Sequence, residues 1–284
     1  MSEQRQDVRK TYKLLINGGF PRSESGRSYK VVSHDGEFLA NVAQGSRKDL
    51  RDAVVAARGV QAKWWASSAY NRGQVIYRLA EMVESRRDEL ASHVGAAEGF
   101  SASEAAASVA RAIDRIVWYA GWTDKIAQVY GGANPVAGPF FNFSLPTPSG
   151  VVAVLASQDS SLEGFVDAVL APIAAGNTVV AVASELRPTP AVLVGEMTAT
   201  SDFPAGVLNI ITGITAELAP TLASHEDVDG IDLSGVDVDQ ASELNVSAAG
   251  SIKRVFRPRP NDADPTRRLR AFIETSTVWH TVGQ

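Results

Sequence analysis

The sequence predicts an α/β protein: a Rossmann-like, doubly wound parallel sheet with N-terminal helices and a small antiparallel oligomerisation sheet. Two observations predict it. Residues 150–258 alternate strand-length apolar runs with amphipathic helical segments, the pattern of a parallel sheet covered on both faces. Residues 11–45, 130–149 and 270–282 instead carry short extended runs broken by turn residues.

In chain order, Leu14-Leu15-Ile16, Tyr29-Lys30-Val31-Val32 and Phe38–Val42 are separated by turn-forming Asn17-Gly18-Gly19, Ser23–Gly26 and His34–Glu37. They read as an antiparallel meander. At Ser46, a good N-cap, the period changes to helical, with Val54, Val55, Ala57, Val60 and Trp64 on one stripe. Val75, Leu79, Met82 and Val83 mark a second helix, and Glu89–Glu98 a third. A long helix is expected over 103–129, burying Ala110, Ile113, Ile116, Val117 and Ala120. Residues 130–149, rich in Gly, Pro and Asn with Phe140, Phe141 and Phe143, suit an exposed two-stranded ribbon.

Strands are then expected at Val151–Ala156, Thr178–Ser184, Gly206–Thr212, Val228–Leu233 and Ile252–Phe256. Helices fall between them at Leu162–Ala175, Pro188–Ser201, Thr215–His225 and Asp237–Ala249. Pro and charge over 257–268 read as a solvated linker, and apolar–polar alternation returns at Arg270–Val282.

Composition narrows the chemistry. The 284 residues include no Cys, which excludes disulfides, thiolate metal sites and a cysteine nucleophile. The net charge of −5 argues against nucleic acid as the main partner. Met1–Lys10 is polar, without the apolar core of a secretory signal, and no run reaches the ~18–20 apolar residues of a membrane span. The expected compartment is the cytoplasm.

His34, His93, His225 and His280 lie at no metal-ligand spacing. Glu226, Asp227, Asp229, Asp232, Asp237 and Asp239 read as a solvated sheet edge with helix N-terminal acids rather than a cation site. Lys253, Arg254, Arg257, Arg259, Arg267, Arg268 and Arg270 are interrupted by Pro and Asp and read as solvated. No phosphate loop, nucleophile elbow or G-x-G-x-x-G is present.

Three segments carry a resemblance. Leu15-Ile16-Asn17-Gly18, Leu170–Val180 (LAPIAAGNTVV) and Phe203–Gly213 (FPAGVLNIITG) resemble the aldehyde dehydrogenase superfamily, and the likeness runs through most of the chain from Tyr12. The resemblance implies a nicotinamide-cofactor fold, and it also marks departures. The family's P-W-N segment, whose Asn supports the oxyanion, is Ser157-Gln158-Asp159. Its K-P-[SA]-E segment is Val182-Ala183-Ser184-Glu185, and its F-T-G-S segment is Leu233-Ser234-Gly235-Val236. The general-base segment E-L-G-G-K is replaced by Arg257-Pro258-Arg259-Pro260.

After that point the domain carrying the nucleophilic Cys is missing, yet Leu269–Trp279 resembles the family's terminal tail, which adds a strand to the oligomerisation sheet. The resemblance therefore implies an internal loss. It divides the chain into an N-terminal unit (1–129), a ribbon (130–149), a Rossmann-like unit (150–258), a linker (259–268) and a tail strand (269–284).

Catalytic residues are expected to be none. Vestigial cofactor positions are Ser184, Glu185, Gly213 and Gly235, with NAD binding weak or absent. The expected function is a non-catalytic subunit partnered by a full-length aldehyde dehydrogenase paralogue, by itself, or by both. The alternatives are an NAD(P)-binding oxidoreductase with residual or partner-complemented activity, and a homo-oligomeric small-ligand module using Gln158 and Asp159 beside those positions. Deleting 269–284 is expected to abolish assembly and spare the Rossmann core.

Overall fold

A computed structural model describes residues 10–259 and 264–282. The chain opens with β1 (Thr11–Tyr12), β2 (Ser28–Val32) and β3 (Phe38–Ala43). Four helices follow: α1 (Arg47–Ala66), α2 (Ala69–Ser85), α3 (Arg87–Glu98) and α4 (Ala102–Trp122). A short α5 (Ile126–Tyr130) leads into β4 (Gly132–Asn134) and β5 (Phe140–Pro148). Then come β6 (Val151–Leu155), α6 (Glu163–Ala174), β7 (Thr178–Val182), α7 (Thr189–Ala199) and β8 (Leu208–Ile211). The chain continues through α8 (Thr215–Ser224), β9 (Gly230–Asp232), α9 (Val238–Ala249) and β10 (Arg254–Phe256). It ends with α10 (Arg267–Ala271) and β11 (Ile273–Thr281).

The expected doubly wound sheet is present. Its order is β10-β9-β6-β7-β8, with every pairing parallel. Side chains alternate between two cores, as a period of two requires. Val152, Val154, Val179 and Ala181 join the core that includes α2, α4, α6 and α7. Val151, Ala153, Leu155, Val180 and Val182 join the core under α1, α8 and α9. The order reverses between β6 and β9, so the topological switch point lies at the C-terminal ends of those two strands.

Local signals place the helices. Ser46 forms a full capping box with Asp49 at α1, Ser101 does so with Glu104 at α4, and Asp237 caps α9. Trp64, buried at the end of α1, donates from Nε1 to the Ile173 carbonyl at 3.1 Å and ties α1 to α6.

Several expectations are corrected. Leu14–Ile16 forms no strand of its own. Leu15 instead makes an antiparallel bridge to Ile210, at the edge of the large sheet. The meander is not wholly antiparallel, because β1 pairs with β3 in parallel. Its three strands form a separate sheet, so the small antiparallel sheet contains only β11, β5 and β4.

The long helix stops at Trp122. Thr123 turns its hydroxyl back onto the Ala120 carbonyl, and a turn closed by Lys125 N to Trp122 O precedes α5. Its buried face is Ala105, Ser108, Val109, Ala112, Ile116 and Tyr119, while Ala110 and Val117 are exposed. The expected stripe is rotated slightly round the helix from the buried one: Ile116 is buried and Ile113 and Ala120 are half-buried against the core. Val55 likewise faces solvent.

The linker is only partly solvated. Residues 260–263 lie outside the described residues, but Arg267–Ala271 is helical and packs on α6 and β10. Among the described residues, no helix is long and apolar enough to cross a membrane.

Candidate functional site

The expected site residues line the C-terminal ends of β6–β9. Ser184 and Glu185 follow β7, Gly213 follows β8 and Gly235 follows β9. Gln158, in the loop after β6, ties the first two together. Its Oε1 accepts from Ser184 Oγ and from the Glu185 amide, each at 3.0 Å. Ser184 Oγ also accepts from the Arg187 amide at 3.1 Å, and Arg187 Nη1 donates to the Asp159 carbonyl at 3.1 Å.

Glu185 turns its carboxylate to the first turn of α8, where Oε2 accepts from Thr215 N at 3.0 Å. That is an N-capping role, and it suits the positive end of a helix. Tyr29 reaches in from β2 and donates to the Glu185 carbonyl at 3.2 Å. Burial, with Glu185 next, raises its phenol far above its ordinary value, so this hydroxyl is a donor throughout the working pH range. Sequence reasoning missed Tyr29, because 156 residues separate it from its partner. Thr215 Oγ1 is buried without a hydrogen-bond partner.

Gly213 (φ +156°) packs against Gly45 where the strand-end loop meets α1. Gly235 sits apart from the other three, at the switch point. A Cβ there would lie 2.0 Å from the Ala156 carbonyl oxygen. Its backbone therefore closes directly on the end of β6, so the glycine serves strand-end packing. Val182 and Val236 stand where the segments of the resemblance carry a Lys and a Ser. Val182 is buried in the core, and Val236 packs at its margin.

A second polar constellation, unforeseen in sequence, fills the same end of the sheet. Asp232, fully buried at the end of β9, meets Arg268 Nη1 at 2.6 Å. Arg268 Nε lies 3.2 Å from Asp167, and its Nη2 donates to Ser234 Oγ at 3.2 Å. Tyr119 donates to Asp167 at 2.6 Å. Burial pushes the Asp232 carboxyl above its ordinary range, opposed first by Arg268. The solvated readings of Asp232 and Arg268 are thus corrected, since each neutralises the other away from water. Asp229 is also paired, with Arg58 Nη2 at 2.6 Å. Lys253 is buried and donates to the His225 carbonyl.

Beside this network a cleft of about 550 Å³ runs between α4 and α6. Arg111 grips Glu163 with two bonds of 2.8 Å, and Arg115 lies 3.6 Å from Asp167. Burial would raise the Glu163 carboxyl, but Arg111 and Ser108 together hold it below the ordinary range. Among the described residues no three His, Asp or Glu side chains are grouped to hold a metal ion. The chain holds no thiol, Asp159 after β6 is exposed, and the described side chains at this end of the sheet are paired charges, carboxylate and amide acceptors, and hydroxyl donors.

The family model for the aldehyde dehydrogenase family matches residues 20–256. The chain belongs to the aldehyde dehydrogenase family. Aldehyde dehydrogenase family 2 member B4, mitochondrial, of Arabidopsis thaliana is 34% identical over 246 residues, covering 85% of this chain and 45% of that protein. The crystal structure of PnpE from Pseudomonas sp. WBC-3 matches with a TM-score of 0.82 and 28% identity, over 87% of this chain and 50% of the other. The NAD+ complex of aldehyde dehydrogenase from Bacillus cereus matches with a TM-score of 0.81 and 25% identity, with the same coverage. The chain spans about half the length of the relatives it matches.

Proposed function

We propose that this aldehyde dehydrogenase family chain is non-catalytic and acts as a structural or regulatory subunit. It assembles with a full-length aldehyde dehydrogenase, with a second copy of itself, or with both, through the β11-β5-β4 sheet. One observation carries the reading. β11 pairs with β5 over nine positions, forms the outer edge of that sheet and leaves Phe140, Phe141, Leu145 and Trp279 exposed. A long exposed edge strand, lying beside the exposed aromatic side chains of β5, is a pairing and aggregation liability unless a partner covers it. Cytoplasmic residence belongs to the same proposal.

The residues at the strand ends support the non-catalytic part. They fit a dinucleotide poorly. Ser184 is engaged by Gln158 and the Arg187 amide, Glu185 caps α8, and Gly235 is pressed onto the Ala156 carbonyl. No nicotinamide step follows from such a donor set. The one feature favouring residual cofactor binding is the orphaned Thr215 hydroxyl beside Glu185, a donor awaiting an acceptor.

Native mass spectrometry of the chain, alone and co-expressed with a full-length family member, tests the proposal. A homo- or hetero-oligomer is expected, and a monomer under both conditions overturns it. Calorimetry with NAD tests the cofactor reading separately. Saturable heat at micromolar cofactor would contradict the fit described above.

A further inference from the structure

We infer that Arg268 is a latch that roots the tail strand in the switch-point end of the parallel sheet and controls whether β11 stays paired with β5. The inference is independent of the proposed partner.

The first observation is where burial lies along the tail. Leu269 and Phe272, immediately before β11, are completely buried. Phe272 lies so close to β9 that a Cβ at Gly230 would come within 2.6 Å of its ring. Its carbonyl accepts from Asn177 Nδ2 at 3.1 Å and from Ser149 N at 3.2 Å. Within β11 itself only Ile273 is even half-buried, and the other eight residues are exposed. The strand is held by its ladder to β5 and by surface contacts such as Trp279 against Phe140 at 5.8 Å. A ladder without apolar burial is marginal in water. The free energy that docks β11 therefore resides in its root.

The second observation is what fastens the root. Arg267 lies over Phe256 there and donates to the Arg257 carbonyl at 2.8 Å, while Arg268 beside it points inward, with its side chain only 12% exposed. Its three nitrogens engage Asp232, Asp167 and Ser234, on β9, on α6 and just past β9. Its guanidinium also lies 4.7 Å from the Phe256 ring centroid, over β10. One side chain thus cross-links three elements of the Rossmann unit to the tail. Its neighbour Arg270 is exposed and pairs with Asp264, on the tail side.

Removing Arg268 strands Asp232 as an unpaired buried charge. The nearest relief is for the root to swing away and admit water. β11 then unpairs, and the nine-residue edge of β5 opens to an added strand.

Hydrogen exchange on the full chain, read by mass spectrometry, tests this. In Arg268→Met, β11 amides should exchange roughly tenfold faster or more, while β6 and β7 amides keep their native rates, because local opening is independent of global unfolding. Arg270→Met should leave β11 unchanged. If Arg268→Met fails to fold, Arg268→Lys keeps the charge, loses the fork and is read in the same way. The inference is overturned by unchanged β11 exchange, by equal acceleration in β11 and the central strands, or by an equal effect of Arg270→Met.

Discussion

The Gln158 side-chain carbonyl lies 3.0 Å from the Ser184 hydroxyl, and through that contact the loops after β6 and β7 become one unit. The same oxygen accepts the Glu185 amide, which has no other acceptor among the described contacts. Gln158→Ala leaves both donors to find water in a half-buried place. Losing such bonds costs about 1–2 kcal/mol, and Tm falls by about 2–4 °C per kcal/mol for a domain of this size. Thermal unfolding of the variant beside the native chain checks it. An unchanged Tm would show that the bridge is incidental.

Asp159→Asn restores the amide that the resemblance places after the first Rossmann strand. It is expected to produce no dehydrogenase turnover, because an oxyanion donor without a thiolate or general base has no tetrahedral intermediate to stabilise. Cofactor reduction with a panel of aldehydes should stay at the buffer rate. Turnover above that rate would contradict the non-catalytic reading directly.

His93 sets a pH dependence. Burial is the main cause that lowers its pKa below the ordinary 6.5, and the nearby Tyr12 hydroxyl, 3.5 Å from Nε2, sits at the same buried edge. A lowered folded pKa means that the unfolded chain binds the proton first. The stability contributed by neutral His93 is therefore complete above its unfolded pKa and is lost as pH falls toward the folded value. Urea midpoints should decline from neutral pH into the mildly acidic range in the native chain, and decline less in His93→Gln. Equal slopes in the two proteins would remove His93 as the cause.

Two glycines separate packing from backbone freedom. At Gly235 an added methyl meets the Ala156 carbonyl, which is backbone at the end of a central strand and cannot rotate aside. Gly235→Ala is expected to cost about 3 kcal/mol, at the upper end of overpacking penalties. At Gly59, inside α1, an added methyl meets nothing within 4 Å. Gly59→Ala should stabilise by about 0.5–1 kcal/mol through helix propensity. Chemical denaturation of both variants reads the contrast, and equal effects would refute it.

What was legible in the sequence was local. Val151–Leu155 and Thr178–Val182 are buried on both faces, so each reads as an unbroken apolar run. Ser46 and Asp237 announce their helices through bonds to residues three positions away. Arg268 reads as a solvated linker charge because its partner, Asp232, lies 36 residues upstream, in a cluster that itself reads as a sheet edge. Two charges that neutralise each other across a fold leave no pattern in either segment. Tyr29 was illegible for the same reason. The face of α4 was lost differently: polar Ser108 is buried in it while apolar Ala110 and Val117 face solvent, so apolarity alone rotates the stripe away from the core.

Burial within the tail gives the deletion of 269–284 two expected outcomes, set by where the cut falls. The cut must be placed by burial. Ending the chain after Phe272 removes only β11, of which Ile273 alone is half-buried, so Tm should change by no more than a few degrees while assembly through the β11 edge is lost. Ending it after Arg268 also removes Leu269 and Phe272, both fully buried. Emptying one such site costs about 2–5 kcal/mol, so losing both threatens a fold whose whole stability is about 5–15 kcal/mol. Size-exclusion chromatography with light scattering, run beside thermal unfolding, separates the outcomes. If the shorter truncation unfolds as readily as the longer, β11 carries core stability and the exposed pattern along it is misleading. If both keep the native Tm, the Leu269 and Phe272 sites are not part of the core at all.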